Sequence, residues 1–208
     1  LFDSAPDFNI KLTSLVNLIK NNKPYKMSKR EGVYVTLRDV FNEVGSDALR
    51  YMMISRSPEK RIDFDFDLIK SKSKDNPVFY IQYAHARCFS IIKTTKELFN
   101  DKLESESLNL DLLKLKEELN LIKILSSFAY ILEKSAKTYE PHKLTNYLLE
   151  LSKNFHNYWS LGNLNPNHRI LNSENIAVSK ARLFLVQNIK KNLLDGLTIL
   201  KINAPNSM

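Results

Sequence analysis

The sequence predicts a mainly α protein in which a helical bundle forms the larger part of the chain. Only 4 of the 208 residues are glycine, which disfavours the tight turns of an all-β fold and favours long helices. From about residue 75 onward, apolar side chains recur at the three- and four-residue spacing of amphipathic helices. Because four such stretches follow one another with short links, we expect an antiparallel bundle.

Each of the four predicted helices has its own pattern. Asn76 and Pro77 mark a helix start, because asparagine caps free backbone amides and proline suits the first turn. A second apolar stripe continues unbroken over residues 115–132, a third helix is expected from Pro141 and a fourth from Asn175. The apolar stripe of the first helix consists of Ile81, Ala84, Cys88, Ile91, Thr95 and Leu98.

The remaining segments carry weaker patterns. Residues 8–20 fit a helix or a strand equally, and residues 33–37 are β-branched and aromatic, which favours an extended segment. Gly45 is expected to separate two elements. Apolar residues alternate with aspartates over residues 62–68, a period of two that predicts a half-buried extended segment. Residues 161–168 are rich in turn formers and predict a loop.

The net charge indicates a class of binding partner, and the cysteine content indicates a type of cellular compartment. A formal net charge of +8 attracts polyanions, of which nucleic acid is the leading candidate. Cys88 is the only cysteine, so no intrachain disulfide is possible, which fits a reducing compartment such as the cytoplasm. No apolar run reaches the roughly 18 residues of a membrane span. The sequence starts without an initiator Met, so we expect a chain cut from a longer protein.

No self-contained active site or metal site is predicted. The four histidines are scattered and no cysteine accompanies them, which argues against zinc. Three alternating aspartates, Asp63, Asp65 and Asp67, lack the turn glycine and the bidentate glutamate of a calcium loop. We interpret them as the solvated face of an extended segment.

One short segment has the chemistry to bind phosphates. Residues 26–30 are Lys26, Met27, Ser28, Lys29 and Arg30, and they place three cations and a hydroxyl in a polar loop. Such a loop can wrap a triphosphate and neutralise the charge that develops on departing pyrophosphate. A basic surface loop without this role is the alternative reading of the same residues.

Three ordered segments resemble one family. Residues 26–30 resemble the KMSKS signature of class I aminoacyl-tRNA synthetases, with Arg30 where the last serine commonly stands. Residues 26–37, 44–50 and, most specifically, 75–87 resemble the arginyl-tRNA synthetases among them. The resemblance covers nearly the whole chain and corresponds to the C-terminal portion of that family. Lys201 departs from it, because the arginine enzymes often carry glycine there.

The resemblance implies a division into three parts. Residues 1–30 would be the end of a Rossmann-type class I catalytic domain, with the KMSKR loop. Residues 31–70 would form a connecting segment similar to a stem-contact region. Residues 71–208 would form a helical anticodon-binding domain of the DALR type.

The resemblance also implies an activity and its site residues. The parent protein would activate arginine with ATP, accompanied by magnesium, and transfer it to the tRNA for arginine. Lys29 would contact the ATP phosphates, with Lys26 and Ser28 supporting the loop and Met27 and Arg30 completing it. The pocket for the central anticodon base would consist of Tyr83, Ala86, Trp159 and Met208. Four neighbours, Tyr80, Gln82, His85 and Arg87, are interpreted as bundle-organising or stem-facing residues.

Other readings remain open at this point. The family's HIGH-type motif is missing from the sequence, so we expect the chain alone to be catalytically inactive. A stand-alone helical RNA-binding module without catalytic activity is the main alternative, followed by a helical protein–protein scaffold. Another class I synthetase, such as the cysteine enzyme, is disfavoured by residues 76–87. A monomer is expected, with no membrane partner and no metal site of its own.

Overall fold

A computed structural model describes residues 10–25, 35–99 and 105–208. Within these ranges a small sheet, whose last strand follows the first helix, is succeeded by a series of helices. The strands are β1 (Val16–Lys20), β2 (Lys23–Pro24) and β3 (Ile62–Asp65). The helices are α1 (Leu37–Ile54), α2 (Phe66–Lys70), α3 (Pro77–Phe99), α4 (Lys116–Ser126), α5 (Phe128–Thr138), α6 (His142–Leu164) and α7 (Ile176–Ile199), and short 3-10 turns lie at Leu110–Leu112 and Pro166–His168.

The sheet joins two segments that lie far apart in the sequence. β1 pairs antiparallel with β2 and parallel with β3, and Leu18 lies opposite Phe64. The strand order is β2-β1-β3. This pairing settles the helix-or-strand ambiguity for residues 16–20, which form β1, whereas residues 10–15 are neither helix nor strand.

Helix α1 begins earlier than the sequence suggested. Thr36 and Asp39 form a capping box, in which the Thr36 hydroxyl and the Asp39 carboxylate each accept a backbone amide. The extended conformation predicted up to Leu37 is therefore wrong at that residue, which opens the helix. Gly45, at φ 81° and ψ 169°, breaks the helix, as expected for a glycine that separates two elements.

The alternating segment also ends sooner than predicted. Ile62 and Phe64 are buried on one face of β3. The carboxylate of Asp65 then accepts the backbone amides of Asp67 and Leu68 and caps α2. The extended reading is wrong beyond Asp65, because a capping aspartate competes successfully with the period-two pattern.

Helices α3, α6 and α7 pack against one another and form the centre of the bundle. Asn76 caps α3 by accepting the amide of Phe79 at 3.3 Å, which confirms the predicted start. The predicted stripe is buried except for Leu98, which is 60% exposed near the end of the helix. The fully buried side chains of this core include Ile81, Leu148, Leu151, Phe155, Ile189 and Leu193.

Two predicted boundaries in the bundle are corrected. The single helix expected over residues 115–132 is two helices, α4 and α5, that meet at Ser127. The Ser127 hydroxyl donates to the carbonyl of Ile124 at 2.8 Å and closes the first helix. The loop expected over residues 161–168 is shorter, because α6 continues to Leu164 before a 3-10 turn.

A close helix contact explains the glycine inside α7. A Cβ atom added at Gly196 would lie 2.6 Å from Cδ2 of Leu148, a fully buried side chain of α6. The two helices therefore approach more closely here than any larger residue permits. The cost of a glycine in helix propensity is offset by this packing.

Helix α7 ends in a left-handed turn at Lys201. Its φ is 56°, and its amide donates to the carbonyl of Thr198 while the amide of Ile202 donates to Leu197. These two hydrogen bonds form a Schellman motif, the usual glycine-containing end of a helix. The backbone that glycine would favour is thus kept although lysine occupies the position.

Candidate nucleic-acid interface

A cavity of about 490 Å³ lies between α3, α6 and the C-terminal tail. Residues one turn apart on α3 face it, because positions three and four apart share a helix face. Trp159 closes it from α6. The lining residues are Tyr83, Ala86, Arg87, Phe89, Ser90, Ile91, Lys93, Trp159, Asn206, Ser207 and Met208.

Arg87 contacts two of the three aromatic rings that line this cavity. Its guanidinium carbon is 4.5 Å from the ring centroid of Tyr83 and 5.3 Å from that of Trp159. Its Nη2 donates to the Tyr83 hydroxyl at 2.6 Å. Cation–π contact with both rings and a direct hydrogen bond fix the guanidinium in one place.

His156 holds the other side of the Arg87 guanidinium. Arg87 Nη1 lies 3.0 Å from His156 Nδ1, and His156 Nε2 lies 3.2 Å from the carbonyl of Tyr80. Since a guanidinium only donates and a carbonyl only accepts, the imidazole carries its proton on Nε2 and is neutral. Burial, assisted by the Arg87 charge, lowers the pKa of His156 to about 4.

The C-terminal tail is attached to α3 by two side chains one turn apart. Gln82 Nε2 donates to the carbonyl of Asn203 at 2.9 Å. His85 Nδ1 donates to the carbonyl of Pro205 at 2.8 Å, and only 1% of His85 is exposed. These contacts direct the last three residues toward the cavity.

A second cavity, of about 340 Å³, also borders Trp159. It shares Ser90, Ile91 and Trp159 with the first cavity, so the indole lines both. Arg169 reaches across this region and its Nε lies 3.4 Å from the carbonyl of Gly162.

The first cavity has the chemistry of a single-stranded nucleic-acid site. Half-buried Tyr83 and Trp159 line it, but Phe79, His156 and Arg87 already pack against the Tyr83 ring, so an unstacked base would lie against the indole or the guanidinium. The fixed guanidinium of Arg87 supplies hydrogen-bond donors, and Lys93 supplies a positive charge at the lining. Taken together, these groups suit a flat aromatic ring that carries hydrogen-bond acceptors and is attached to a polyanion.

The structure brings together the four residues predicted for an anticodon pocket. Tyr83, Ala86, Trp159 and Met208 all line the first cavity. Both aromatics also pack against the bundle, Trp159 against the core and Tyr83 on the ring of His156, so the core-packing alternative stays open for them. Contact of these four residues with a base remains a prediction.

Sequence reasoning missed the roles of three neighbouring residues. Arg87 lies inside the cavity, while Gln82 and His85 hold the tail, although all three had been interpreted as bundle-organising or stem-facing. Their spacing on α3 relative to Tyr83 could have suggested a shared face. Their partners in α6 and the tail lie 69 or more residues away and had no signal in the sequence.

The predicted phosphate loop, residues 26–30, lies outside the described residues. The roles expected of Lys26, Met27, Ser28, Lys29 and Arg30 therefore stay predictions. Over the described ranges, no three histidine, cysteine or acidic side chains converge in a way that could hold a metal ion. No described helix has the length and apolar character needed to cross a bilayer.

Comparisons with known proteins match both halves of the chain. The family profile of the DALR anticodon binding domain matches residues 81–208. The profile of the class I (M) tRNA synthetases matches residues 12–82 and thus spans the segment with residues 26–30.

Individual relatives are arginine–tRNA ligases. The chain is 44% identical over 200 residues to the enzyme of Bartonella bacilliformis and 40% identical over 203 residues to that of Rickettsia africae, covering 95% and 96% of this chain. It spans about a third of the length of these curated relatives, 34% and 35%.

A solved structure agrees with this similarity. A protein from Campylobacter jejuni that is assigned as an arginyl-tRNA synthetase matches 95% of this chain and 40% of its own, with a TM-score of 0.75 and 27% identity. The resemblance to arginyl-tRNA synthetases and the mainly α fold class are confirmed. With its matched profile covering residues 81–208, the chain belongs to the DALR anticodon-binding domain family.

Proposed function

We propose that this chain is part of an arginine–tRNA ligase, in which it binds the anticodon of the tRNA for arginine and supplies the ATP-phosphate loop. The whole enzyme joins arginine to its tRNA at the expense of ATP, releasing AMP and pyrophosphate. Support comes from relatives of that name, which this chain matches over about a third of their length.

The observation that carries the anticodon role is the cavity between α3, α6 and the tail. Its two aromatic walls, Tyr83 and Trp159, enclose a fixed guanidinium, that of Arg87. Stacking of one base on such a wall is worth roughly 1–3 kcal/mol. The central anticodon base, turned out of its stack, is the proposed occupant, with Ala86 and Met208 completing the pocket.

The first test compares two RNAs on the same protein. Binding of the 208-residue chain is measured with the tRNA for arginine and with the same tRNA carrying a different central anticodon base. We expect the native anticodon to bind about tenfold tighter, the equivalent of about 1.4 kcal/mol. Equal affinity for the two RNAs would contradict anticodon reading by this chain.

A variant pair locates the effect in the cavity. Trp159→Leu keeps an apolar side chain but removes the flat ring, so the affinity for the native tRNA should fall about tenfold, the loss of one stacking contact. Tyr130→Leu is the matched control, because Tyr130 is an exposed aromatic with a lysine, Lys134, 5.5 Å from its ring centroid, and it does not line the cavity. This control should keep the wild-type affinity.

The loop of residues 26–30 is proposed to act on ATP. Lys29 would contact the phosphates as charge moves onto pyrophosphate, while Lys26 and Ser28 hold the loop near the nucleotide. Met27 and Arg30 complete the segment. ATP enters as a substrate with its magnesium ion.

A direct measurement separates this part from the whole enzyme. We expect no ATP–pyrophosphate exchange from the 208-residue chain with arginine and tRNA present, because one loop cannot position both arginine and ATP. Exchange above the background would contradict this expectation.

The proposal also covers the cellular location, the oligomeric state and the domain division of the enzyme. A cytoplasmic location is supported by the single buried thiol, Cys88. A monomer is proposed, together with the division at residues 1–30, 31–70 and 71–208. Sedimentation of the chain with and without tRNA tests the monomer.

A further inference from the structure

We infer that Asp47 is a positioning residue for the anticodon cavity, which acts by holding the C-terminal tail in the place where residues 206–208 line that cavity. The inference rests on the proposed anticodon-binding function and adds a residue outside the cavity to it. Asp47 lies on α1, whereas the cavity is built by α3, α6 and the tail.

The carboxylate of Asp47 accepts hydrogen bonds from both the tail and α3. Its Oδ2 accepts from Gln82 Nε2 at 2.9 Å and from the Asn203 amide at 3.3 Å. Its Oδ1 accepts from Asn203 Nδ2 at 3.2 Å. Gln82 Nε2 also donates to the Asn203 carbonyl, so the three residues form one closed cluster.

A carboxylate is the group that this cluster requires. Every group that faces it from Gln82 and Asn203 is a donor, and both carboxylate oxygens are occupied. Asparagine has the same shape, but it offers one acceptor oxygen instead of two and lacks the charge that strengthens these hydrogen bonds. Asp47→Asn therefore removes acceptor capacity without changing side-chain volume.

The bend at Gly45 gives Asp47 its position. Gly45 has a φ of +81°, and a Cβ atom added there would meet nothing within 4 Å. The glycine is thus needed for backbone conformation and not for space. Two residues later, Asp47 faces the tail instead of continuing the first half of α1.

Few side-chain hydrogen bonds attach the described tail to the bundle between this cluster and the cavity. After Asn203, one side-chain hydrogen bond from the bundle reaches the described tail, from His85 to the Pro205 carbonyl. The next residues, Asn206, Ser207 and Met208, already line the cavity. Loss of the Asp47 cluster would leave the tail before residue 206 with the His85 hydrogen bond and with the packing of Ile202 and Ala204 against the core.

The test is a double-mutant cycle with two RNAs. Wild type, Asp47→Asn, a variant lacking residues 206–208 and the combination of both are compared for binding to the native tRNA and to the tRNA with a changed central base. Asp47→Asn should lower the preference for the native anticodon about three- to tenfold, as expected for partly exposed hydrogen bonds to a carboxylate. In the truncated protein it should have no further effect, because it acts through the missing residues.

Asp39→Asn is the matched control. It makes the same chemical change on the same helix, at a cap that faces Thr36 and not the tail. It should lower thermal stability as much as Asp47→Asn or more while leaving the preference between the two RNAs unchanged. Loss of preference in both variants would reduce Asp47 to a structural role and overturn the inference.

A second readout follows the tail without RNA. Removal of Met208 by a carboxypeptidase, followed by mass spectrometry, should be about three- to tenfold faster in Asp47→Asn than in wild type or Asp39→Asn. Unchanged trimming, or additive effects of Asp47→Asn and truncation, would overturn the inference while anticodon binding stands. A wild type without preference for either RNA would overturn the proposed function itself.

Discussion

At the scale of single residues, the side chain of His156 fixes Arg87 because it is neutral. One ring nitrogen accepts from the guanidinium and the other donates to the Tyr80 carbonyl. A proton on Nδ1 would turn this acceptor into a donor. It would also place a positive charge beside the positively charged guanidinium. The cavity therefore depends on an imidazole that resists protonation.

We expect acid to destabilise the chain partly through His156. The pKa of this group is about 4 in the folded chain and near 6.5 when unfolded. As pH falls from 6.5 to 4 the unfolded state therefore gains the proton first, and stability present above pH 6.5 is lost progressively. The loss should total about 2–3 kcal/mol, measured by denaturant unfolding between pH 7 and 4.

His156→Gln serves as the comparison for this titration. Glutamine can still accept from Arg87 and donate to Tyr80, but it does not titrate. The variant should show a shallower loss of stability over the same pH range. Part of the slope should remain, because burial also lowers the pKa of His85 and His142. An identical slope in wild type and variant would contradict the role of His156.

The residues of the cavity were only partly predictable from sequence. Tyr83 and Arg87 lie one turn apart, so their contact on α3 follows from helix geometry. The contact of Arg87 with His156 joins residues 69 positions apart and depends on how α3 packs on α6. No local pattern encodes that packing, so a charged residue beside aromatics remained ambiguous.

At the scale of elements, the contact of α6 with α7 depends on Gly196. We expect Gly196→Ala to destabilise the fold by about 1–2 kcal/mol, because the clash with buried Leu148 exceeds the gain in helix propensity. The measurement is equilibrium unfolding in denaturant. Thr198→Ala, at an exposed position of the same helix, is the control and should be nearly neutral.

A background substitution should reverse the sign of this effect. In Leu148→Ala the atoms that meet the new methyl group are gone. Gly196→Ala should then stabilise that background by up to about 1 kcal/mol, the helix propensity difference. Destabilisation in both backgrounds would show that the close approach does not explain the glycine.

Two helix boundaries show what sequence patterns leave open. Apolar spacing continues through Ser127 without glycine or proline, so one long helix was the natural prediction; the break is made by a hydroxyl bonded to its own helix end. At Lys201 the usual sequence signal is absent but the structural feature is present. The missing glycine made the turn uncertain, yet two backbone hydrogen bonds and buried Ile202 keep the left-handed conformation.

At the scale of the whole molecule, one buried ion pair connects distant parts of the bundle. Arg182 Nε lies 2.7 Å from Glu118, with 5% and 0% of the residues exposed. Arg182 Nη1 also donates to the carbonyls of Asn167 and Arg169, and Tyr158 donates to Glu118. Helices α4, α6 and α7 and the turn after α6 meet at this network.

We expect Arg182→Met to destabilise the chain by about 3–5 kcal/mol, because it leaves a buried carboxylate without its partner. Lys191→Met removes an exposed pair with Asp195 and should cost less than about 0.5 kcal/mol. Both values come from denaturant unfolding. Adding Glu118→Gln to Arg182→Met should recover part of the loss, and no recovery would contradict the explanation by an unpaired charge.

The net charge of +8 leads to a prediction for RNA binding as a whole. If the chain neutralises about three phosphates, its affinity for tRNA should fall roughly 10–30-fold between about 50 and 200 mM salt. The dissociation constant measured in a salt series tests this. An affinity independent of salt would favour the scaffold reading of the helical bundle over RNA binding.

The bundle was more predictable than the small sheet. Asn76 and Asn175 begin helices where their capping chemistry indicated. By contrast, β1 pairs with β3, and Asn17 lies opposite Asp63, 46 residues later. A short apolar run does not specify a partner at that distance, because pairing depends on the packing of everything between.

The presence of Trp159 in the lining of two cavities affects how its substitutions should be interpreted. The indole borders spaces of about 490 and 340 Å³. Truncation to alanine would enlarge both spaces at once and admit water where the ring stood. A weak-binding alanine variant would therefore report a change of site shape as well as the loss of one stacking surface.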